Sequence, residues 1–166
     1  MNEAKFIAFQ KLSKAAFLMQ KEQFEQALVI LEEVHQLDTT LSASWFYKGK
    51  AQFNLKNCRG AEISLLRFIE MQEKQTSAIQ VKELALITAS KEMLVECWVE
   101  DSAFAKALPF CDSLLAQSPE NTAIRFARAK CYLALGQKKA ACQDFQKAAA
   151  WGHQTAYTWE KRYCKE

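Results

Sequence analysis

Glycine and proline are scarce: the 166 residues hold four of the first and two of the second. An all-β chain needs many tight turns, which those residues make, so the scarcity excludes that class and suits long helices. Long apolar runs are lacking as well. After the polar, mixed-charge start Met1 to Lys5, the apolar residues are interrupted by Gln10, Lys11, Ser13 and Lys14, which predicts no signal peptide, no membrane span and a cytoplasmic chain. Charge of one sign is not in excess: 22 Lys and Arg are interleaved with 19 Asp and Glu, for a net +3 and a pI near 8.5. That surplus is too weak to imply a nucleic-acid partner. No C-x-x-C pair occurs among the six cysteines, and a chain of this size builds a core without staples, so free buried thiols are expected. His35 and His153 lie far from each other and from any close cysteine group, and neither a metal nor another cofactor is expected. A Gly-rich phosphate loop, a nucleophile motif and H-E-x-x-H are all missing, which argues against an enzyme.

What is present is a repeat. Phe24-x-x-Ala27, Cys58-x-x-Ala61, Phe104-x-x-Ala107 and Lys138-x-x-Ala141 each lead into a helical apolar run, and the four alanines are 34, 46 and 34 residues apart. A helix-turn-helix repeat of 34 residues explains the outer intervals, and the middle one is a repeat with twelve residues added. Trp45, Gly49, Ala61 and Leu65 share a register with Leu94, Trp98, Phe104, Ala107 and Pro119, with Ala129, Tyr132, Gly136, Ala141, Phe145 and Ala148, and with Ala15, Phe24, Ala27 and Leu31. This pattern resembles W-x2-L-G-x2-Y, then A-x3-F, then P of the tetratricopeptide repeat (TPR) family, over about residues 8–153. The fourth unit carries it best and the first least. The resemblance implies an all-α, right-handed helical-hairpin solenoid of about four units, at about 8–41, 42–75, 76–121 and 122–153, with a C-terminal capping helix in 154–166. The whole chain is then one domain.

Small residues such as Gly49 and Ala129 let paired helices approach, and Trp98, Tyr132 and Phe145 fill the space between them. Cys97 and Cys131 stand where Phe17 and Ala51 stand in the first two units, and read as small core residues; Cys164 is the cysteine expected to meet solvent. The helices expected are Asn2–Gln20, Gln23–Gln36, Ser42–Leu55, Cys58–Glu73, Ala103–Gln117, Asn121–Leu135, Lys138–Trp151 and Thr155–Cys164. Unit three departs from the pattern. Thr76, Ser77 and Gln80 resemble a capping box and no breaker follows before Glu100, so the twelve extra residues are assigned to one long helix, Ser77–Val99. They would extend it by about 18 Å.

In this family the first helix of each unit lines a concave groove that takes an extended peptide or a partner helix. By register the resemblance places Phe9, Leu12, Ala16 and Met19 there from unit one, and Phe46, Lys50, Phe53 and Asn54 from unit two. Glu92, Glu96, Val99 and Glu100 come from unit three, and Phe126, Lys130 and Leu133 from unit four. Leu12, Ala16, Phe46 and Met93 occupy places where a clamp for a terminal carboxylate needs polar groups, so that subset of the family is not indicated. Glu92, Glu96 and Glu100 fall at i, i+4 and i+8 and repel by roughly a few tenths of a kcal/mol per pair unless neutralised. Lys50 and Lys130, in register with Glu96, would neutralise the row within the protein; a basic ligand would do so from outside. The internal account is favoured. Helix one is apolar nearly all round, and no earlier repeat covers it, so Phe6 and Phe17 are candidates for self-association into a homodimer. The function that results is a non-enzymatic adaptor binding a protein or peptide, with a small chaperone for an apolar segment of a secreted client as the alternative.

Overall fold

The computed structural model describes residues 3–74 and 81–164, and among these the chain forms nine helices and no strand. They are α1 Glu3–Gln20, α2 Phe24–Leu37, α3 Ser42–Asn54, α4 Cys58–Glu73, α5 Val81–Glu100, α6 Phe104–Gln117, α7 Thr122–Ala134, α8 Lys138–Ala150 and α9 Gln154–Tyr163. Each agrees with the expected map to within a few residues. The Asn2 cap and the Thr76, Ser77 and Gln80 capping box lie outside the described residues. From Val81 onward α5 runs unbroken through Ile87, Thr88 and Ser90, and its 20 residues exceed the 13 of α3 and of α7. The excess amounts to about 10 Å of helix.

The turn inside each hairpin is the same object four times. Glu22, Lys56, Ser102 and Gly136 occupy one register position, and all four have positive φ: 57°, 59°, 58° and 77°. In each, the N–H of the next residue reaches back to close the helix end: Gln23 to Leu18 O, Asn57 to Gln52 O, Ala103 to Trp98 O and Gln137 to Tyr132 O, at 2.7–3.0 Å. With the bonds that span three residues, Glu22 to Met19 O, Lys56 to Phe53 O, Ser102 to Val99 O and Gly136 to Leu133 O, this is the Schellman arrangement, which satisfies carbonyls the helix end leaves open. Only the fourth copy has the glycine that the conformation favours.

Contacts divide the chain into two compact units, residues 1–93 and 94–166. In the first, Ala8, Leu12, Ala15 and Met19 of α1 pack with Ala27, Leu31 and Val34 of α2 and with Ala51 of α3. A Cβ placed on Gly49 would lie 2.6 Å from the Leu65 side chain, so α3 and α4 meet at a distance only glycine permits. In the second unit, Ala129 of α7, Ala141, Phe145 and Ala148 of α8 and Ala156 of α9 form the core. Trp98 packs edge-on to Phe110, with ring centroids 4.9 Å apart.

Two expectations about cysteine are overturned. Cys164 is bonded to Cys142 across 22 residues, tying the end of α9 to α8, and Cys58 and Cys97 are disulfide-bonded too. Cys97 is buried as expected but oxidised. Cys111 and Cys131 are the cysteines that remain free and buried. Their thiols hydrogen-bond to each other, and that bond with burial holds the Cys111 thiol protonated far above its ordinary range. Sequence separation hides such pairs, because helix packing rather than local spacing brings the sulfurs together.

Candidate protein-binding faces

On α1 and α3 the expected groove residues separate into two groups. Leu12, Met19 and Phe46 are buried, at 8%, 7% and 5% exposure, and belong to the core of the first unit. Phe46 is held there by Phe68 of α4, with ring centroids 5.5 Å apart, and by the edge of Tyr47 at 5.6 Å. These three therefore offer no side chain to a ligand. Phe9 is 58% exposed, Lys50 and Asn54 are exposed, and Phe53 is half-buried. The Asn54 Nδ2 donates to Lys50 O at 2.8 Å, which leaves the amide oxygen outward as an acceptor. The Lys56 ammonium lies 5.6 Å from the Phe53 ring centroid. An ammonium, an amide oxygen and an aromatic ring beside a second ammonium thus follow one another along the end of α3.

Glu92, Glu96 and Glu100 share one side of α5 as the spacing requires, and none of them is without a partner. Lys130, expected to help neutralise the row, lies among aromatic rings. Its Nζ sits 5.9 Å from both the Phe126 and the Trp159 ring centroids. Lys50 makes no ion pair among the described residues.

In the second unit Phe126 is half-buried within an aromatic group supplied by the capping helix. Its ring stacks on His153 at 4.7 Å, meets Trp159 edge-on at 5.5 Å and leans on Phe145 at 5.7 Å. His153 itself starts α9: its Nδ1 accepts from the Ala156 N–H at 3.1 Å, an N-cap made by an unprotonated imidazole nitrogen. Part of the Phe126 surface expected to face a ligand is therefore spent on holding α9. A capping helix was expected here, but nothing in the sequence paired His153 with Phe126.

A buried ion network also escaped the sequence. Asp144, 4% exposed, accepts from Arg125 Nη1 at 3.1 Å and from Arg128 Nε and Nη2 at 2.7 and 2.9 Å. Arg128 also donates to Asp112 at 2.8 Å and Arg125 to the Pro119 carbonyl. The Asp144 carboxylate raises the Arg128 guanidinium above its ordinary range. This network ties α6, α7 and α8 together and has its partners inside the unit, so its role is structural. Cavities in the second unit are shallow: one of about 210 Å³ lies among Ala149, Gly152, His153, Gln154 and Tyr157. No group of three or more His, Cys, Asp or Glu is placed to hold a metal ion among the described residues.

Comparison with known proteins agrees with this architecture. The family model for the tetratricopeptide repeat matches residues 99–158. Solved structures of MamA have the same fold: MamA 41-end from Desulfovibrio magneticus RS-1 superposes with a TM-score of 0.71 at 13% identity, covering 99% of this chain and 95% of that one. MamA AMB-1 gives 0.71 at 15%, covering 95% and 85%, and MamA MSR-1 gives 0.68 at 17%, covering 87% and 76%. At such identities the likeness is one of fold. No curated protein matches the sequence.

Proposed function

From a chain with the fold of tetratricopeptide solenoids, whose residues 99–158 carry that family's sequence pattern, we propose a non-enzymatic adaptor that binds a protein segment. The fold supports protein interaction as the general role. The finer reading places the segment on the first unit, along the end of α3. The observation that carries it is the exposure of Lys50 and Asn54 beside the half-buried Phe53 ring, with Lys50 lacking an ion pair among the described residues. A half-exposed aromatic ring flanked by ammonium groups suits an apolar side chain next to a carboxylate, so the ligand is an acidic, partly apolar segment. Lys130 in the second unit presents a cation already seated over two rings and contributes less.

Among the described residues no helix is long and apolar enough to cross a membrane. The four oxidised cysteines favour an oxidising compartment over the cytoplasm first expected.

Binding and folding separate in the test. Phe53→Ala is expected to weaken binding of the mapped partner segment by about 1 to 3 kcal/mol while leaving thermal stability nearly unchanged. Phe46→Ala is expected to cost about 3 to 5 kcal/mol of stability, as buried aromatic truncations do. Isothermal titration and thermal melts of both variants decide it. Equal affinity of Phe53→Ala and the unmodified chain would remove the α3 face from the proposal.

A further inference from the structure

The outward side of α1 has a pattern that the adaptor role does not use. Phe6, Gln10, Ser13 and Phe17 are spaced four, three and four residues apart, which is the seam spacing of a helix that packs lengthwise on another. All four are exposed, and the two aromatic rings expose 47% and 57% of their surface. The opposite side, Ala8, Leu12, Ala15 and Met19, is consumed by the core of the first unit.

We propose that this seam is the contact surface for a second copy of the chain, with the two α1 helices antiparallel. The seam is complementary to itself when one copy is turned about an axis passing between residues 11 and 12. Phe6 then lies opposite Phe17 of the second copy, and Gln10 opposite Ser13, at both ends alike. A contact of this kind, in which one patch meets itself, closes as a dimer. The charges at the margin obey the same axis. Glu3 and Lys21 lie on one flank of α1 and neither forms an ion pair among the described residues; the rotation sets Glu3 of each copy beside Lys21 of the other. Lys14 meets Gln10. A parallel arrangement would carry the flank with Glu3 and Lys21 to the opposite side of the pair in the second copy, so the Glu3–Lys21 contacts would not form. The polar middle of the seam fixes the register: Ser13 Oγ already donates to Phe9 O at 3.1 Å, so its lone pairs are what Gln10 Nε2 of the second copy meets. Lys21 Nζ, 5.7 Å from the Phe17 ring centroid, remains at the rim.

The seam is short, about 16 Å of helix, and four half-exposed rings bury less than the roughly 1,200 Å² of a standard interface. The dimer is therefore weak and reversible. Sedimentation equilibrium of the full chain from low to high micromolar concentration is expected to show a monomer–dimer exchange. The Phe6→Glu, Phe17→Glu double variant is expected to stay monomeric with an unchanged helical circular dichroism spectrum. Lys21→Glu is expected to weaken the dimer about tenfold, and Glu3→Lys combined with Lys21→Glu to restore it. These charge changes lie at the surface, so they carry the test by themselves if the phenylalanine variant does not fold. An unmodified chain that is monomeric throughout overturns the proposal and leaves the seam to a different protein. A dimer that survives the phenylalanine changes, or a charge reversal that restores nothing, overturns it as well.

Discussion

At Lys56 the backbone turns with φ of 59°, a left-handed conformation that costs an L-residue with a Cβ about 1 to 2 kcal/mol. Glu22 and Ser102 bear the same cost at the same place in their own hairpins. The Schellman bonds and the packing of the paired helices hold all three there. Because Gly136 serves the fourth hairpin without the penalty, Lys56→Gly is expected to raise stability by about 0.5 to 1 kcal/mol, and Gly136→Ala to lower it by a similar amount. Urea unfolding of the two variants checks both signs; no gain from Lys56→Gly would mean the turn is not under this strain. Gly136 stood out in the sequence as part of the repeat register. Glu22, Lys56 and Ser102 did not, since nothing in an ordinary polar residue announces a positive φ that its neighbours impose.

Between α2 and α3 a histidine joins two helices of the first unit. The His35 ring stacks on Trp45 at 4.1 Å and its Nε2 lies 2.8 Å from Ser44 Oγ. Ser44 Oγ donates to Leu41 O, so it accepts from Nε2–H. Burial lowers the His35 pKa below the ordinary value, nearby Lys48 lowers it further, and Glu32 opposes them. A histidine whose folded pKa is depressed contributes stability that is full above the unfolded value near 6.5 and is lost as pH falls through the lower folded value. The melting temperature of the unmodified chain is therefore expected to fall as pH drops from about 6.5 through the lower folded value, and His35→Gln, which keeps a donor to Ser44, to flatten this part of the profile. Element boundaries themselves were read well: Cys58–Glu73 is α4 to the residue, because capping and apolar periodicity act locally. Which aromatic on α3 stays open was not. Phe46 and Phe53 are seven residues apart and differ by only about 20° around the helix, so periodicity treats them alike. Phe68, arriving from α4, separates them.

The distribution of cysteine over the molecule divides its sulfur chemistry into two parts, and composition alone suggested one. Cys111 and Cys131 are buried and hydrogen-bonded to each other, the thiols that a core of small residues was expected to hold. Cys142, Cys164, Cys58 and Cys97 are oxidised, and their spacing in the sequence carried no sign of it. The Cys142–Cys164 bond has a defined mechanical task. The ten residues of α9 are too few to hold a helix by themselves in water, so its place depends on the Trp159 and Phe126 ring contacts, the His153 cap and this one covalent tie. Closing 22 residues restricts the unfolded chain by about 3 kcal/mol in the loop-entropy account. Alkylation of the denatured, unreduced protein is expected to mark only Cys111 and Cys131, and alkylation after reduction all six cysteines. Cys142→Ser is expected to lower the melting temperature and to bring faster hydrogen exchange at the amides of α9 while the core of α7 and α8 keeps its protection. Six reactive thiols in unreduced protein would remove the disulfides and, with them, the argument for an oxidising compartment. Unchanged exchange in α9 after Cys142→Ser would show instead that the aromatic contacts suffice to seat the helix.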